Sequence, residues 1–287
     1  MTPEIVVVVN KWWEAAPLIG VLQNSDARPP RFADVSQPGL GGPSAPAPRL
    51  TARCSDWRVV VWCLQDLMDP DENPSLTWEK ARVLPRIFRV HQAARLVLAF
   101  GTAACPRGTG HNGSVAIGSS VFVHDPYACP PVPTKHWTHP KLNQVVESKG
   151  AALLASLSTQ LVGEAEKRFL NALLGPASPP RLGVGEDLVS VSVVNVTNPD
   201  DYRWADPQAL EGFKVVAKGR TAASCETTHG VIRLLTEVPF LYVSGVANAL
   251  GKFAEEVLPK KYAQNFIAAH NAAIATAWLL DELTRKG

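Results

Sequence analysis

The chain has 287 residues, 46% of them hydrophobic, which is enough for a sizeable core built as one elaborated domain over 1–287. Its 28 Lys and Arg against 26 Asp and Glu leave a formal charge of +2, with no basic run that would mark a nucleic-acid-binding surface. Five widely spaced cysteines (Cys54, Cys63, Cys105, Cys129, Cys225) form no CxxC pair, so they read as reduced thiols of a cytoplasmic protein and not as a disulfide framework.

In chain order, Ile5 to Val9 is a continuous β-branched run, the pattern of a strand covered on both faces in a parallel sheet. Asn10-Lys11 interrupts it too early for a signal peptide. A helix or turn then carries Glu14 at the strand's carboxyl end, where site residues of an open α/β sheet gather. Residues 25–50, with Arg28-Pro29-Pro30-Arg31 and the Pro/Gly-rich stretch Gln37 to Pro48, predict a long surface loop insertion without regular structure. Trp57 to Leu64 predicts a strand, Pro70 to Pro74 a break, and Thr77-Trp78-Glu79-Lys80 the capped start of a helix.

Ala94 to Phe100 predicts a strand that leads into a small-residue turn, Gly101-Thr102-Ala103-Ala104, where backbone can approach a ligand closely. Val115 to Val123 reads as one strand ending at His124-Asp125, a structural hydrogen-bonding pair. His136 and His139 have HxxH spacing, but no cysteine or carboxylate joins them in a ligand pattern, so a surface loop is the better reading and no metal is expected. Gly150 to Leu174 has apolar residues at helical spacing, Leu188 to Val196 reads as a strand beside the site, and Lys252 to Lys286 as a closing helix broken near Pro259. Ala268 to Leu280 within it is too short and too polar, with His270 and Asn271, to span a bilayer, so no membrane partner is expected.

The segment Ala222 to Leu250 organises the rest. It sets Glu226 at the head of a helix, follows with the strand Val238 to Val243, and ends on the loop Ser244-Gly245-Val246-Ala247-Asn248, so that a carboxylate and an amide can meet over one small ligand.

Cys225-Glu226-Thr227-Thr228-His229-Gly230-Val231 with Val238-Pro239-Phe240-Leu241-Tyr242-Val243 resembles the carboxyl-terminal blocks of the nucleoside phosphorylase and nucleosidase superfamily. Leu96 to Ala104 and Gly113 to Asp125 resemble two further blocks, in the same order. The resemblance implies an α/β fold: a three-layer domain with a central mixed, largely parallel twisted sheet flanked by helices. It implies Glu14 as holder of the attacking water, Glu226 on the ribose hydroxyls and Asn248 at the base, with Cys225, Thr102, Ala103 and Tyr202 as further substrate contacts. Trp204 is the second choice for the stacking residue. It also implies a small-molecule nucleoside or nucleobase as partner, no cofactor, and a homo-oligomer.

The departures narrow the chemistry. Ala99 stands where phosphorylases place a phosphate-gripping arginine, and the amino-terminal phosphate loop is missing, which favours water over phosphate unless Lys11, Arg95 or Arg107 substitutes. Asn248 falls where the nucleosidases and hexameric phosphorylases of the superfamily have an aspartic acid and the trimeric phosphorylases have asparagine; it can donate a hydrogen bond to the departing base but cannot transfer a proton, which implies a 6-oxopurine or an unusual base over adenine. Ser244 replaces an arginine. Three readings stay open: a nucleosidase, a phosphate-dependent phosphorylase, and a nucleoside-binding protein without turnover. Each proposed role also has a plainer alternative, for Glu14 and Glu226 a helix amino-terminal charge and for Tyr202 a residue at the edge of the core.

Overall fold

The first β-branched run forms β1 (Glu4–Val9), buried along its whole length as a strand covered on both faces must be. A computed structural model describes residues 2–39, 42–125, 137–172, 179–193, 205–257 and 263–285. After β1 come α1 (Trp12–Gln23), β2 (Phe32–Ser36), β3 (Leu50–Cys54), β4 (Trp57–Cys63), α2 (Thr77–Val90), β5 (Ala94–Cys105), β6 (Val115–Gly118), β7 (Ser120–His124) and β8 (Val145–Val146). The second half supplies α3 (Ala151–Ala155), α4 (Thr159–Glu166), β9 (Leu182–Val184), β10 (Asp187–Val191), α5 (Ala205–Val216), β11 (Ala222–Glu226), α6 (His229–Leu235), β12 (Phe240–Ala249), α7 (Phe253–Glu256) and α8 (Ala263–Arg285).

Among the described residues the strands join in one mixed sheet with the order β2-β3-β4-β1-β5-β11-β10-β7-β8. The sheet forks at β5, which also pairs with β12, and β12 continues through β6 to β9. Pairings along β4-β1-β5-β12 and β11-β10-β7 are parallel, while β5-β11, β12-β6 and the edge strands β2, β3 and β8 pair antiparallel. Alternation along β1 and β5 divides the core. Ile5, Val7, Leu98 and Phe100 pack with Leu18 and Leu22 of α1 and Ile274 and Leu279 of α8, while Val6, Val8, Val97 and Ala99 face Val83, Leu84 and Ile87 of α2 and Val231 and Ile232 of α6. Helix, sheet and helix thus form three layers. No helix among the described residues is long and apolar enough to cross a membrane.

Several element boundaries differ from the sequence expectations. Within 25–50, Phe32–Ser36 is a strand that pairs antiparallel with β3. The small residues Gly101 to Ala104 and Ser244 to Asn248 do not form loops; they continue β5 and β12, which pair along this stretch. Asn248 is therefore within a strand, beside a register shift between Val246 and Asn248. Glu226 does not open a helix. It is the last residue of β11. The 115–123 strand breaks at Ser119, and the 150–174 helix breaks into α3 and α4 because the Ser158 side chain accepts the Leu161 N–H and starts a new helix. Thr77 is the first helical residue of α2 and caps nothing there: its hydroxyl accepts the Val193 N–H at 2.7 Å.

Candidate active site

The carboxyl end of β1 delivers the chain into α1 at Lys11, and Glu14 sits in the first helical turn with its carboxylate turned inward. One oxygen, Oε1, accepts from the Thr102 N–H at 2.8 Å and from its hydroxyl at 3.0 Å, and Oε2 accepts from the Lys11 N–H at 3.3 Å. Burial pushes the Glu14 carboxyl above its ordinary value; the Thr102 amide and the Lys11 charge pull it back only in part. Gly101 makes the arrangement possible. A Cβ there would stand 2.9 Å from Glu14 Oε1 and 3.1 Å from His229 Nε2, so any side chain would push both groups away.

His229 comes from α6 and brings the second half of the molecule to the same place. Its Nδ1 lies 3.2 Å from the Ser244 hydroxyl, and its ring stacks on Tyr242 with centroids 6.1 Å apart. Ser244 is fully buried on β12, at the position where the resemblance leads one to expect arginine.

Glu226 ends β11 just before α6. Its Oε2 accepts the Thr228 N–H and, at 2.8 Å, the His229 N–H, so this oxygen caps α6. Oε1 is equally buried and accepts no hydrogen bond among the described residues. Such an oxygen lacks a compensating donor, and a substrate hydroxyl could supply one.

Behind the same turn lies Lys80 of α2, 0% exposed, whose Nζ donates to the Thr227 carbonyl at 2.7 Å and meets the Thr227 hydroxyl at 3.2 Å. Burial pulls its pKa down to about 7, against the pull of the Glu226 and Glu14 charges and reinforced by the positive charge of Lys11. Lys11 is itself held below its ordinary value by burial, and its Nζ donates to the Ser75 hydroxyl at 3.1 Å.

The fork at β5 sets the remaining residues. Cys225 of β11 and Asn248 of β12 are both register partners of Ala104, so they flank the same residue of β5 from its two sides. Asn248 is buried and donates from Nδ2 to the Ala249 carbonyl at 2.7 Å. The next amide, Ala249 N–H, donates to Glu256 Oε2 at 2.9 Å, and that oxygen also accepts from Asn112 Nδ2 at 2.8 Å.

Of the residues expected from the sequence, Glu14 and Thr102 are in direct contact, and Glu226 joins them through His229. Cys225 and Ala103 are buried in the sheet beside them. Tyr202 and Trp204 lie outside the described residues. Among the cations named as phosphate substitutes, Lys11 adjoins Glu14, whereas Arg107 is paired with Glu186 at 2.7 Å and Arg95 points to solvent. No group of three or more His, Cys, Asp or Glu among the described residues could hold a metal ion. Lys80 and Glu256 were not singled out from the sequence. Lys80 carried a signal there, because it occupies the apolar stripe of α2 with Val83, Leu84 and Ile87, an unusual place for a lysine.

No protein-family model matches this sequence, and no curated protein matches it. Solved structures do. A 5′-methylthioadenosine/S-adenosylhomocysteine nucleosidase from Colwellia psychrerythraea, in complex with adenine, is similar with a TM-score of 0.59 at 13% identity, covering 99% of this chain and 96% of that one. The corresponding nucleosidase from Neisseria meningitidis, in complex with methylthio-immucillin-A, has a TM-score of 0.54 at 17% identity, covering 97% and 98%. A futalosine hydrolase mutant from Helicobacter pylori has a TM-score of 0.54 at 10% identity, covering 99% and 100%. Near-complete coverage in both directions means that the likeness extends over the whole chain and not one common βαβ unit: the chain has the fold of these nucleosidases.

Proposed function

We propose that this protein cleaves the N-ribosidic bond of a purine-type nucleoside, with water as the nucleophile. The observation that carries the reading is Glu14, a buried carboxylate with a raised pKa, fixed by Thr102 at the carboxyl end of β1 against His229. A carboxylate tuned upward by burial can accept a proton from water near neutral pH. As the bond breaks, the ribose becomes cationic and the base takes up electrons. In this reading Glu226 Oε1 accepts from the sugar hydroxyls, and its charge favours the cationic sugar. Asn248 serves the base. Its amide has two N–H groups, one of which is engaged by the Ala249 carbonyl, and the second is left for a ring acceptor.

The comparisons support the reaction class, since the similar structures are of nucleosidases and a hydrolase and one of them holds adenine. Fully buried Ala99, where phosphorylases of the resembling superfamily have arginine, supports water over phosphate. A phosphate-dependent reaction is the second reading, favoured by Lys11 beside Glu14. A cytoplasmic homo-oligomer fits either reading.

The test is a panel of purine nucleosides incubated with the protein, with and without inorganic phosphate, followed by release of free base. Phosphate-independent release is the expected result. Release only with phosphate would select the second reading, and binding without release would overturn both.

A further inference from the structure

Lys80 has no part in the mechanism above, yet it is a fully enclosed lysine. A fully enclosed ammonium forfeits hydration that an apolar residue at the same stripe position of α2 would never need. Among the described residues its partners are the carbonyl and hydroxyl of one residue, Thr227, 147 positions away. Thr227 is the middle of the turn that leaves β11 at Glu226 and enters α6 at His229.

That turn is held from two sides. On the inside, Glu226 Oε2 accepts the Thr228 and His229 amides; on the outside, Lys80 grips the Thr227 carbonyl. With Oε2 committed to the cap and the backbone pinned, Oε1 keeps one direction. We propose that Lys80 is a positioning residue for Glu226, acting through Thr227 so that the buried, unpartnered Oε1 is aimed at the sugar of the substrate. The proposal rests on the nucleosidase reading for its ligand, and on the geometry alone for its mechanics.

The charges that face Lys80 come from two elements. Glu226 from β11 is the strongest influence favouring the ammonium; Glu14 of α1 acts in the same direction, and Lys11 at the start of α1 opposes both. With its pKa drawn to about 7, Lys80 changes charge across the neutral range while its two contacts suit either the ammonium or the amine.

The test is a double-mutant cycle of Lys80→Met and Glu226→Gln on a cleaved purine nucleoside. Lys80→Met is expected to lower kcat/KM by about 10–100-fold, the usual consequence of a small misplacement at the reacting centre, and to remove the inflection near pH 7 from the profile. In the Glu226→Gln background the same change is expected to cost less than about twofold, because residues that act as a unit are not additive. Losses that multiply would overturn the proposal. If Lys80→Met does not fold, Thr227→Val removes one of the two contacts, and the same non-additivity is expected with Glu226→Gln.

A second arm needs no turnover. The Lys80 side-chain carbon signal is titrated by NMR in the wild type and in Glu226→Gln. Loss of the Glu226 charge is expected to move the Lys80 midpoint further down from about 7. An unmoved midpoint would overturn the positioning role. A moved midpoint in a protein that cleaves no nucleoside would overturn the nucleosidase reading and leave the Lys80–Glu226 link standing.

Discussion

Glu14 accepts three hydrogen bonds in a place where an ionised carboxylate is poorly solvated, and the balance between those two facts sets its behaviour. Burial is the larger effect and raises its pKa, so the proton leaves above the ordinary carboxylate value of 4.5. Activity that needs the ionised form should therefore fall as the pH drops through this raised value. The acid limb of kcat/KM is expected above 4.5, and Glu14→Gln, which keeps the shape, should lower kcat by about 10²–10⁴-fold, as removal of a general base does. Base release measured across pH checks both; a glutamine variant within tenfold of wild type would remove Glu14 from the mechanism. Glu14 was legible in the sequence because a lone acid follows a buried strand by a few residues. Ser244 was legible as the replacement of an arginine and His229 as a neighbour of Glu226, but their contact with each other joins α6 to β12 through the tertiary fold and has no local signal.

At the scale of elements, the small residues are expected from the sequence to form turns open to a ligand, and the structure places them in strands packed against other parts of the chain. Gly101 and Gly245 read as turns, yet both lie in strands whose neighbours come too close to admit a side chain. A Cβ on Gly245 would stand 2.1 Å from the Ala268 carbonyl oxygen, so the backbones of β12 and α8 are in contact there. Gly245→Ala should therefore destabilise the protein by about 1–3 kcal/mol through overpacking, with the loss read from urea denaturation. Wild-type stability in that variant would show that α8 can slide. The same tertiary override explains the other boundary errors. β2 forms inside a Pro-rich stretch because β3 offers it a partner, and the helical spacing over 150–174 conceals the Ser158 cap that divides it.

Across the whole molecule, the far end of the sheet is tied as firmly as the site end. Glu4 opens β1 and receives Arg58 at 2.7 Å and His91 Nδ1 at 3.0 Å, while Trp62 Nε1 donates to His91 Nε2 at 2.9 Å. This joins β1, β4 and the end of α2. Burial raises the Glu4 pKa, but the hydrogen bonds from His91 and Arg58 outweigh it and hold the carboxyl below 4.5. The stability it contributes is thus complete above 4.5 and is lost as the pH falls through the lowered folded value. The difference in unfolding free energy between wild type and Glu4→Gln should be constant from pH 7 down to about 5 and close in stronger acid; a gap unchanged in strong acid would contradict the tie. The parallel centre of the fold was readable from its β-branched runs. The fork at β5 was not, because nothing local tells one strand to accept three partners, β1, β11 and β12, along its length. Because β1 enters at this tied end and delivers Glu14 at the other, residue 2 emerges on the floor of the protein. A purification handle or a surface linker attached there would anchor the molecule with the end of β1 that leads to Glu14 turned away from the support.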